Sequence, residues 1–246
     1  MRYLKLKTAT TPRANGAIYK HALIVDAPRR FAPSNQRHEK SLSRQKNHLI
    51  EGAHDSGKSR WLWRLKEDWA AIWGAKIQQE PVFLSGLEPL SEWLDCPHVE
   101  AWWSDNEDDK ALAEDRRPRK WSSLSQKSKA TALSDYLHEN NTLLFLDDAH
   151  RLTGRKLQIA RQCVLAAKYW LISTSSENRL PPTLRTIVER GQPQRTRLES
   201  DASYDATRVL MWMLICGFAA AGVWEAAIVL GGLQMLGSGR RSARAD

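Results

Sequence analysis

Cysteine is scarce: Cys96, Cys163 and Cys216 are the only three in 246 residues, and no C-x-x-C spacing joins any two. That excludes a zinc knuckle, argues against a disulfide scaffold and fits a reducing compartment. Cys216 stands in an apolar run and reads as a small hydrophobe. The opening residues, MRYLKLKTATTPR, hold no apolar stretch long enough for a signal peptide. No internal repeat is evident. Acidic residues are the minority, 28 against 37 Lys and Arg, which leaves a formal net charge of +9 and a pI near 9.6. Such a balance points to an anionic partner, either nucleic acid or an anionic membrane surface; basic segments that merely aid solubility are the plainer alternative.

The cations are unevenly spread. Arg29, Arg30, Arg37, Lys40, Arg44 and Lys46 crowd a stretch rich in Pro, Ser and Asn. Residues 1–46 therefore read as a basic, partly disordered arm, with residues 22–25 as a candidate strand and nucleic acid as a candidate partner. An acidic patch occupies residues 105–109, near Trp93, Trp102 and Trp103. The stretch 87–120 around it reads as irregular.

From residue 47 the pattern is regular. Residues 48–51 form a short strand, and Trp61, Leu62, Leu65, Trp69 and Ile72 recur at helical spacing over 59–73. Residues 81–85 make a second strand, and residues 122–140 a helix stopped by Asn140 and Asn141. Residues 142–148 are a continuous apolar run ending in Asp147 and Asp148, as a buried parallel strand should look. A helix over 153–168, a strand over 169–174, a Pro-led helix over 181–190 and a last strand over 194–198 complete the alternation. This is the signature of an α/β three-layer sandwich, with a mainly parallel sheet of about five strands between helices. The domain expected is 47–200, followed by a linker over 201–208.

The next segment differs. Residues 209–236 are apolar apart from Glu225 and Gln234, and 209–224 carry no charge. As one helix at ~1.5 Å per residue the segment would reach about 42 Å, enough to span a ~30 Å hydrocarbon core with tilt. A hairpin would leave each arm only ~20 Å long. Trp212 and Trp224 suit the interfaces. The expectation is a transmembrane helix near the C-terminus, with a short basic tail over 237–246; a very apolar helix buried in a core or an oligomer interface is the alternative. Arginines flank both ends (Arg195, Arg197 and Arg208 before, Arg240, Arg241 and Arg244 after) and do not settle orientation.

The chemistry is concentrated in three places. Residues Gly52, Ala53, His54, Asp55, Ser56, Gly57, Lys58 and Ser59 match G-x-x-x-x-G-K-[ST] without a mismatch. Gly52 and Gly57 admit backbone conformations that let successive N–H groups face phosphates. Lys58 brings an ammonium to the β- and γ-phosphates, and the Ser59 hydroxyl is placed to ligate Mg²⁺. The following helix directs its positive end at the same anion. No N-K-x-D stretch appears, so ATP is expected rather than GTP. A need for cellular ATP puts the nucleotide domain on the cytoplasmic side of the membrane. His54 and Asp55 occupy variable positions of the pattern and take no catalytic role.

Asp147, at the end of a buried strand, suits the magnesium of a bound nucleotide, and Asp148 is placed to orient or deprotonate the attacking water. The plain alternative is a strand-terminal turn using Asp for its propensity. Ser173, Thr174 and Ser175 end the next strand, where a hydroxyl can reach the γ-phosphate; Thr174 is the first choice and Ser173 the second. Arg185 and Arg190 lie in or after the next helix, either as solvated arginines or as a cation reaching a neighbouring subunit's site. Of Trp61 and Trp63, one packs in the core and the other faces the base or a partner.

Residues 146–152, Leu-Asp-Asp-Ala-His-Arg-Leu, resemble the "DEAHRL" stretch of the AAA+ ATPases that regulate transposition and of the related ExeA-like secretion ATPases. The resemblance covers residues 47–200 and keeps the family's order of motifs. It implies an ATP-driven oligomer with sheet order 5-1-4-3-2, and the matching positions are Gly52, Lys58, Ser59, Asp147, Asp148 and Thr174. The chain departs from it twice. Asp148 stands where the family has Glu, which draws the base back by roughly 1.5 Å. The apolar segment also replaces the family's helical lid. A P-loop assembly or export ATPase of phage or conjugation type accounts better for that segment. The function expected is a membrane-anchored ATP hydrolase that remodels or moves DNA or protein; a nucleotide-gated adaptor or DNA-binding transposition-type ATPase with little turnover is the alternative.

Overall fold

The computed structural model describes residues 2–9, 19–26, 38–74, 76–198, 213–218 and 220–222. The chain divides into two units, Met1–Ser200 and Asp201–Asp246.

The first unit is built on a five-stranded parallel sheet. Its strands are β4 (His48–Gly52), β5 (Val82–Ser85), β6 (Leu143–Asp147), β7 (Tyr169–Thr174) and β8 (Gln194–Leu198), in the order β5-β6-β7-β4-β8. Counting only these strands, the order from the β8 edge is 5-1-4-3-2, as the motif resemblance implied. The strand β6 is buried at all five positions, which is why its sequence is a continuous apolar run. Asn47 fixes the start of β4: its side-chain oxygen accepts from Trp170 N (3.1 Å) and its carbonyl accepts from Gln194 N (2.8 Å).

Strand alternation divides the core between two faces. On one face Leu143, Phe145, Leu171, Ile50 and Leu198 pack against α1 (Lys58–Glu67) and α2 (Trp69–Trp73). On the other, Leu84, Leu144, Leu146, Trp170 and Ile172 meet α3 (Leu90–Leu94), α4 (Pro97–Ala113), α5 (Gln126–Glu139), α6 (Gly154–Ala166) and α7 (Pro182–Arg190). Helices on both faces make the three-layer α/β sandwich. Each fully buried Leu or Phe in these layers contributes about 1.5–3 kcal/mol of transfer free energy.

Several expectations change. The described part of the 1–46 arm holds more than the one strand expected over 22–25. It contains a three-stranded antiparallel sheet of β1 (Arg2–Thr8), β2 (Lys20–Asp26) and β3 (His38–Ser41), in register Leu4↔Ile24 and Val25↔Glu39. Leu4, Ala22 and Ile24 join the core cluster of α1 and α2, so the strands belong to the same unit as the P-loop. Arg29, Arg30 and Arg37 lie outside the described residues. The single helix over 59–73 breaks at Asp68, whose carboxylate takes the Lys20 ammonium at 2.6 Å. Residues 87–120 are largely helical. The charges of α4 face inward as well as outward: Glu107 is buried with Arg116 (2.6 Å) and Arg119 (2.9 Å), which hold its carboxyl far below the usual range.

In the second unit, residues 213–218 are helical. No helix among the described residues is long and apolar enough to cross a membrane. The linker 201–208, most of 209–236 and the tail 237–246 lie outside them.

Candidate functional site

Parallel strands deliver their C-terminal ends to one edge of the sheet, and in the order β6-β7-β4 three of those ends lie side by side. The loop from β4 to α1 is residues 53–57. Asp55 (φ 60) and Gly57 (φ 83) take left-handed conformations that turn the chain into the helix, with Gly57 as the residue that caps α1. Gly52 has no room for a side chain, because a Cβ there would lie 2.4 Å from Ser56 Oγ and 2.8 Å from the Leu198 carbonyl. Buried Lys58 donates from Nζ to the Gly52 (2.9 Å) and Ala53 (2.8 Å) carbonyls, so its ammonium is held inside the loop. The Ser56 hydroxyl is buried with no partner among the described residues. Ser59 is exposed in the first turn of α1. His54 and Asp55 pair with each other at 3.1 Å in solvent, in keeping with variable positions. Of the two tryptophans, Trp61 is buried, while half-exposed Trp63 stacks on Phe83 (4.5 Å).

The second half of the site lies at the ends of β6 and β7. Alternation puts Asp147 on the α1 face with Phe145, and Ser173 on the same face with Leu171. The Ser173 hydroxyl donates to Asp147 Oδ1. The Asp148 N–H donates to Asp147 Oδ1 (3.0 Å) and to Ser173 Oγ (2.9 Å). Both donors engage Oδ1, which fixes the buried carboxylate and leaves Oδ2 outside this network. Asp148 itself has φ 49, a left-handed backbone that Asp tolerates better than most residues. That conformation gives the shorter acid at this position a local reason. Gly86, after β5, closes the network from the other side: it donates to the Asp147 carbonyl at 2.8 Å, and a Cβ there would lie 2.5 Å from the Asp148 carbonyl.

Thr174 and Arg185 are placed apart from this network. Thr174 is fully buried on the opposite strand face and donates to the Ser176 carbonyl at 2.9 Å. Arg185 is partly exposed and pairs with Glu189 one turn along α7, at 2.8 Å. Sequence reasoning gave no role to Lys156, His150 or Glu51. Lys156 Nζ ties down the loop after β5 through the Gly86 (2.7 Å) and Glu88 (2.6 Å) carbonyls. The Glu51 carboxylate accepts from Glu177 N at 2.6 Å, anchoring the loop after β7. His150 Nδ1 lies 4.0 Å from Asp148 Oδ1. Burial, aided by Arg151, Lys58 and Arg179, lowers the His150 pKa against the pull of Asp148. Only the position of His150 inside the 146–152 stretch could have flagged it.

No cluster of three His, Cys, Asp or Glu that could hold a metal occurs among the described residues. A magnesium ion needs less from the protein when phosphates supply oxygens, since one or two protein oxygens then suffice. The fixed Asp147 carboxylate and the exposed Ser59 hydroxyl, with the glycine-shaped loop and the orphaned Ser56 hydroxyl, fit a phosphate-bound magnesium.

No protein-family model matches the chain, and no curated protein matches it either. Solved structures do. Thermomonospora curvata EccC (ATPases 2 and 3), in complex with a signal sequence peptide, is 13% identical with a TM-score of 0.42, over 82% of this chain and 41% of that one. A point variant of Thermotoga maritima RuvB is 15% identical with a TM-score of 0.30, over 63% of this chain and 38% of that one. A DNA replication initiation factor is 14% identical with a TM-score of 0.34, over 71% of this chain and 46% of that one. The chain thus spans less than half the length of each. At these scores the fold rests on the strand order and the loop geometry above.

Proposed function

We propose that this chain is a P-loop ATPase of the AAA+ type that binds Mg-ATP in the loop of residues 52–59. The observation that carries the reading is the meeting of a cation-bearing glycine loop and a braced acidic pair at one sheet edge. Backbone N–H groups and Lys58 hold the phosphates. Asp147 and Ser59 would hold the magnesium, which supplies charge neutralisation to the phosphates. Asp148 orients the attacking water and takes its proton. Ser173 keeps both acids in place, and Thr174 tethers the loop where a γ-phosphate would be sensed.

The wider role belongs to the same proposal. Turnover in a homo-oligomer, with Arg185 offered to the neighbour's site, moves or remodels a macromolecule beside a membrane, where the apolar run 209–236 anchors the chain with the ATPase unit on the cytoplasmic side. A DNA-binding transposition-type ATPase that meets nucleic acid through the arm is the alternative; of the described cations there, Arg2 pairs with Asp26, Lys5 with Glu39 (3.1 Å) and Lys20 with Asp68 (2.6 Å). A phage- or conjugation-type export ATPase stays within this proposal. One observation favours a second reading, a nucleotide-gated switch with little turnover. Asp148 is short and its backbone is pinned.

Phosphate release and binding of a fluorescent ATP analogue, for wild type and Asp148→Asn, separate the two. The ATPase reading expects intact binding and turnover lowered by about 100-fold. Equal, low turnover in both proteins with binding retained would establish the switch instead.

A further inference from the structure

The backbone of Asp148 is braced, and the ring that approaches its carboxylate is that of His150. Nδ1 of that ring lies 4.0 Å from Asp148 Oδ1, and the two side chains are 17% and 16% exposed. The same nitrogen accepts the backbone N–H of Ser175, the first residue past β7, at 3.4 Å. A ring nitrogen that accepts carries no proton, so in this arrangement the imidazole proton sits on Nε2. Burial and the nearby cations Arg151, Lys58 and Arg179 favour the neutral ring, with Asp148 opposing them.

Ser175 and Asp148 therefore compete for one nitrogen. Nδ1 can accept from the Ser175 N–H, or it can carry the proton and donate to the carboxylate, but not both. The first state is the one described. Reaching the second needs the ring to close on Oδ1 to about 2.8 Å, the length of a charge-assisted bond, and to release Ser175. The loop that would be released is the one after β7, and the buried Ser175 hydroxyl has no partner among the described residues to hold it. Other anchors of this loop include the Thr174 hydroxyl on the Ser176 carbonyl, the Glu177 N–H on the Glu51 carboxylate and the Arg195 guanidinium on the Glu177 carboxylate.

We propose that His150 is a positioning residue that links the loop after β7 to Asp148, its Nδ1 either accepting from Ser175 or, as the other neutral tautomer, donating to the Asp148 carboxylate. A γ-phosphate arriving at the end of β7 displaces the Ser175 N–H. The freed ring turns the short carboxylate toward the water. The link rests on the ATPase reading for its purpose but not for its existence. It gives a residue one bond shorter than Glu a device that sets its direction.

The test uses the full chain and five proteins: wild type, His150→Ala, His150→Asn, Asp148→Asn and the double variant Asp148→Asn/His150→Ala. Mg-ATP affinity, the maximal rate of phosphate release and the thermal midpoint are measured for each. His150→Ala should lower the maximal rate about 10-fold with affinity and midpoint held, a split that a purely structural residue does not produce. Asn can accept from Ser175 and donate to Asp148, so His150→Asn should recover most of the rate. On the Asp148→Asn background, loss of His150 should cost nothing further. An unchanged rate in His150→Ala, or full additivity in the double variant, overturns the link. A wild type without turnover refutes the ATPase reading alone, and imidazole NMR then decides the link: His150 should titrate at lower pH in Asp148→Asn than in wild type, and an identical titration overturns it.

Discussion

In the proposed nucleotide site, the half assigned to phosphate is made of backbone, whereas the half assigned to the attacking water is made of side chains. Residues 52–57 work through φ angles, carbonyls and missing Cβ atoms: a Cβ on Gly52 would lie 2.4 Å from Ser56 Oγ, and Lys58 is held by two loop carbonyls. The acidic half works through Asp147, Ser173, Asp148 and His150, drawn from two strands and the turn after β6. A backbone site leaves side chains free to vary where they point to solvent, as those of His54 and Asp55 do. A side-chain network has no such slack, and each member can be removed singly with its own consequence.

The sharpest way to break the phosphate half is Gly52→Ala. Its methyl group would meet the Leu198 carbonyl at 2.8 Å, and strain of up to about 3 kcal/mol corresponds to roughly a 100-fold loss of Mg-ATP affinity. Titration calorimetry reads this directly; unchanged affinity would show that the loop is not shaped as described.

The strand that feeds this half carries a pH dependence. Burial pushes the His48 imidazole from its usual 6.5 down to about 4, while Nε2 meets the Ser43 carbonyl at 2.6 Å. The unfolded chain therefore takes the proton first. Stability is full above pH 6.5 and falls as pH drops toward 4, by about 2 kcal/mol at pH 5 from this group. His98 and His150, also lowered by burial, act with the same sign. Chemical denaturation of wild type and His48→Gln across this pH range isolates the His48 share. Parallel pH profiles for the two proteins would remove it.

These two halves were not equally legible. The phosphate loop is contiguous, so eight letters announce it, and the apolar runs of β6 and β7 announce the strands beside it. The acidic network depends on which strand lies next to which and on which face each residue points to. Thr174 was the first choice and Ser173 the second, and alternation puts Ser173 on the face of Asp147. The N-terminal sheet was hidden for a different reason. Exposed β3, His-Glu-Lys-Ser, has no apolar pattern, and only pairing with β2 makes it a strand. In α4 the buried Glu107 interrupts the apolar stripe, because its charge is matched by Arg116 and Arg119 from beyond the helix.

A smaller effect sharpens the acidic half. Ser173→Ala strips a donor from Asp147 and an acceptor from the Asp148 N–H. The expected result is about a 10-fold fall in turnover with a raised magnesium requirement, the scale of one buried hydrogen bond, while metal-free nucleotide affinity stays put. A fall in that affinity instead would mean that the halves are not separable. Smallest of all, Arg185→Ala removes an exposed i,i+4 pair and should change stability by less than about 0.5 kcal/mol. The proposed reach of Arg185 into a neighbour's site adds a loss of turnover that depends on protein concentration, and unchanged turnover would remove Arg185 from that role.

The central claim is that the two halves act on one molecule of ATP. Phosphate release by the full chain in detergent, with ATP and Mg²⁺, measured beside Lys58→Ala, tests it most directly. The account predicts release by wild type that depends on magnesium and falls by at least about 100-fold in Lys58→Ala. Equal release from the two proteins would contradict it.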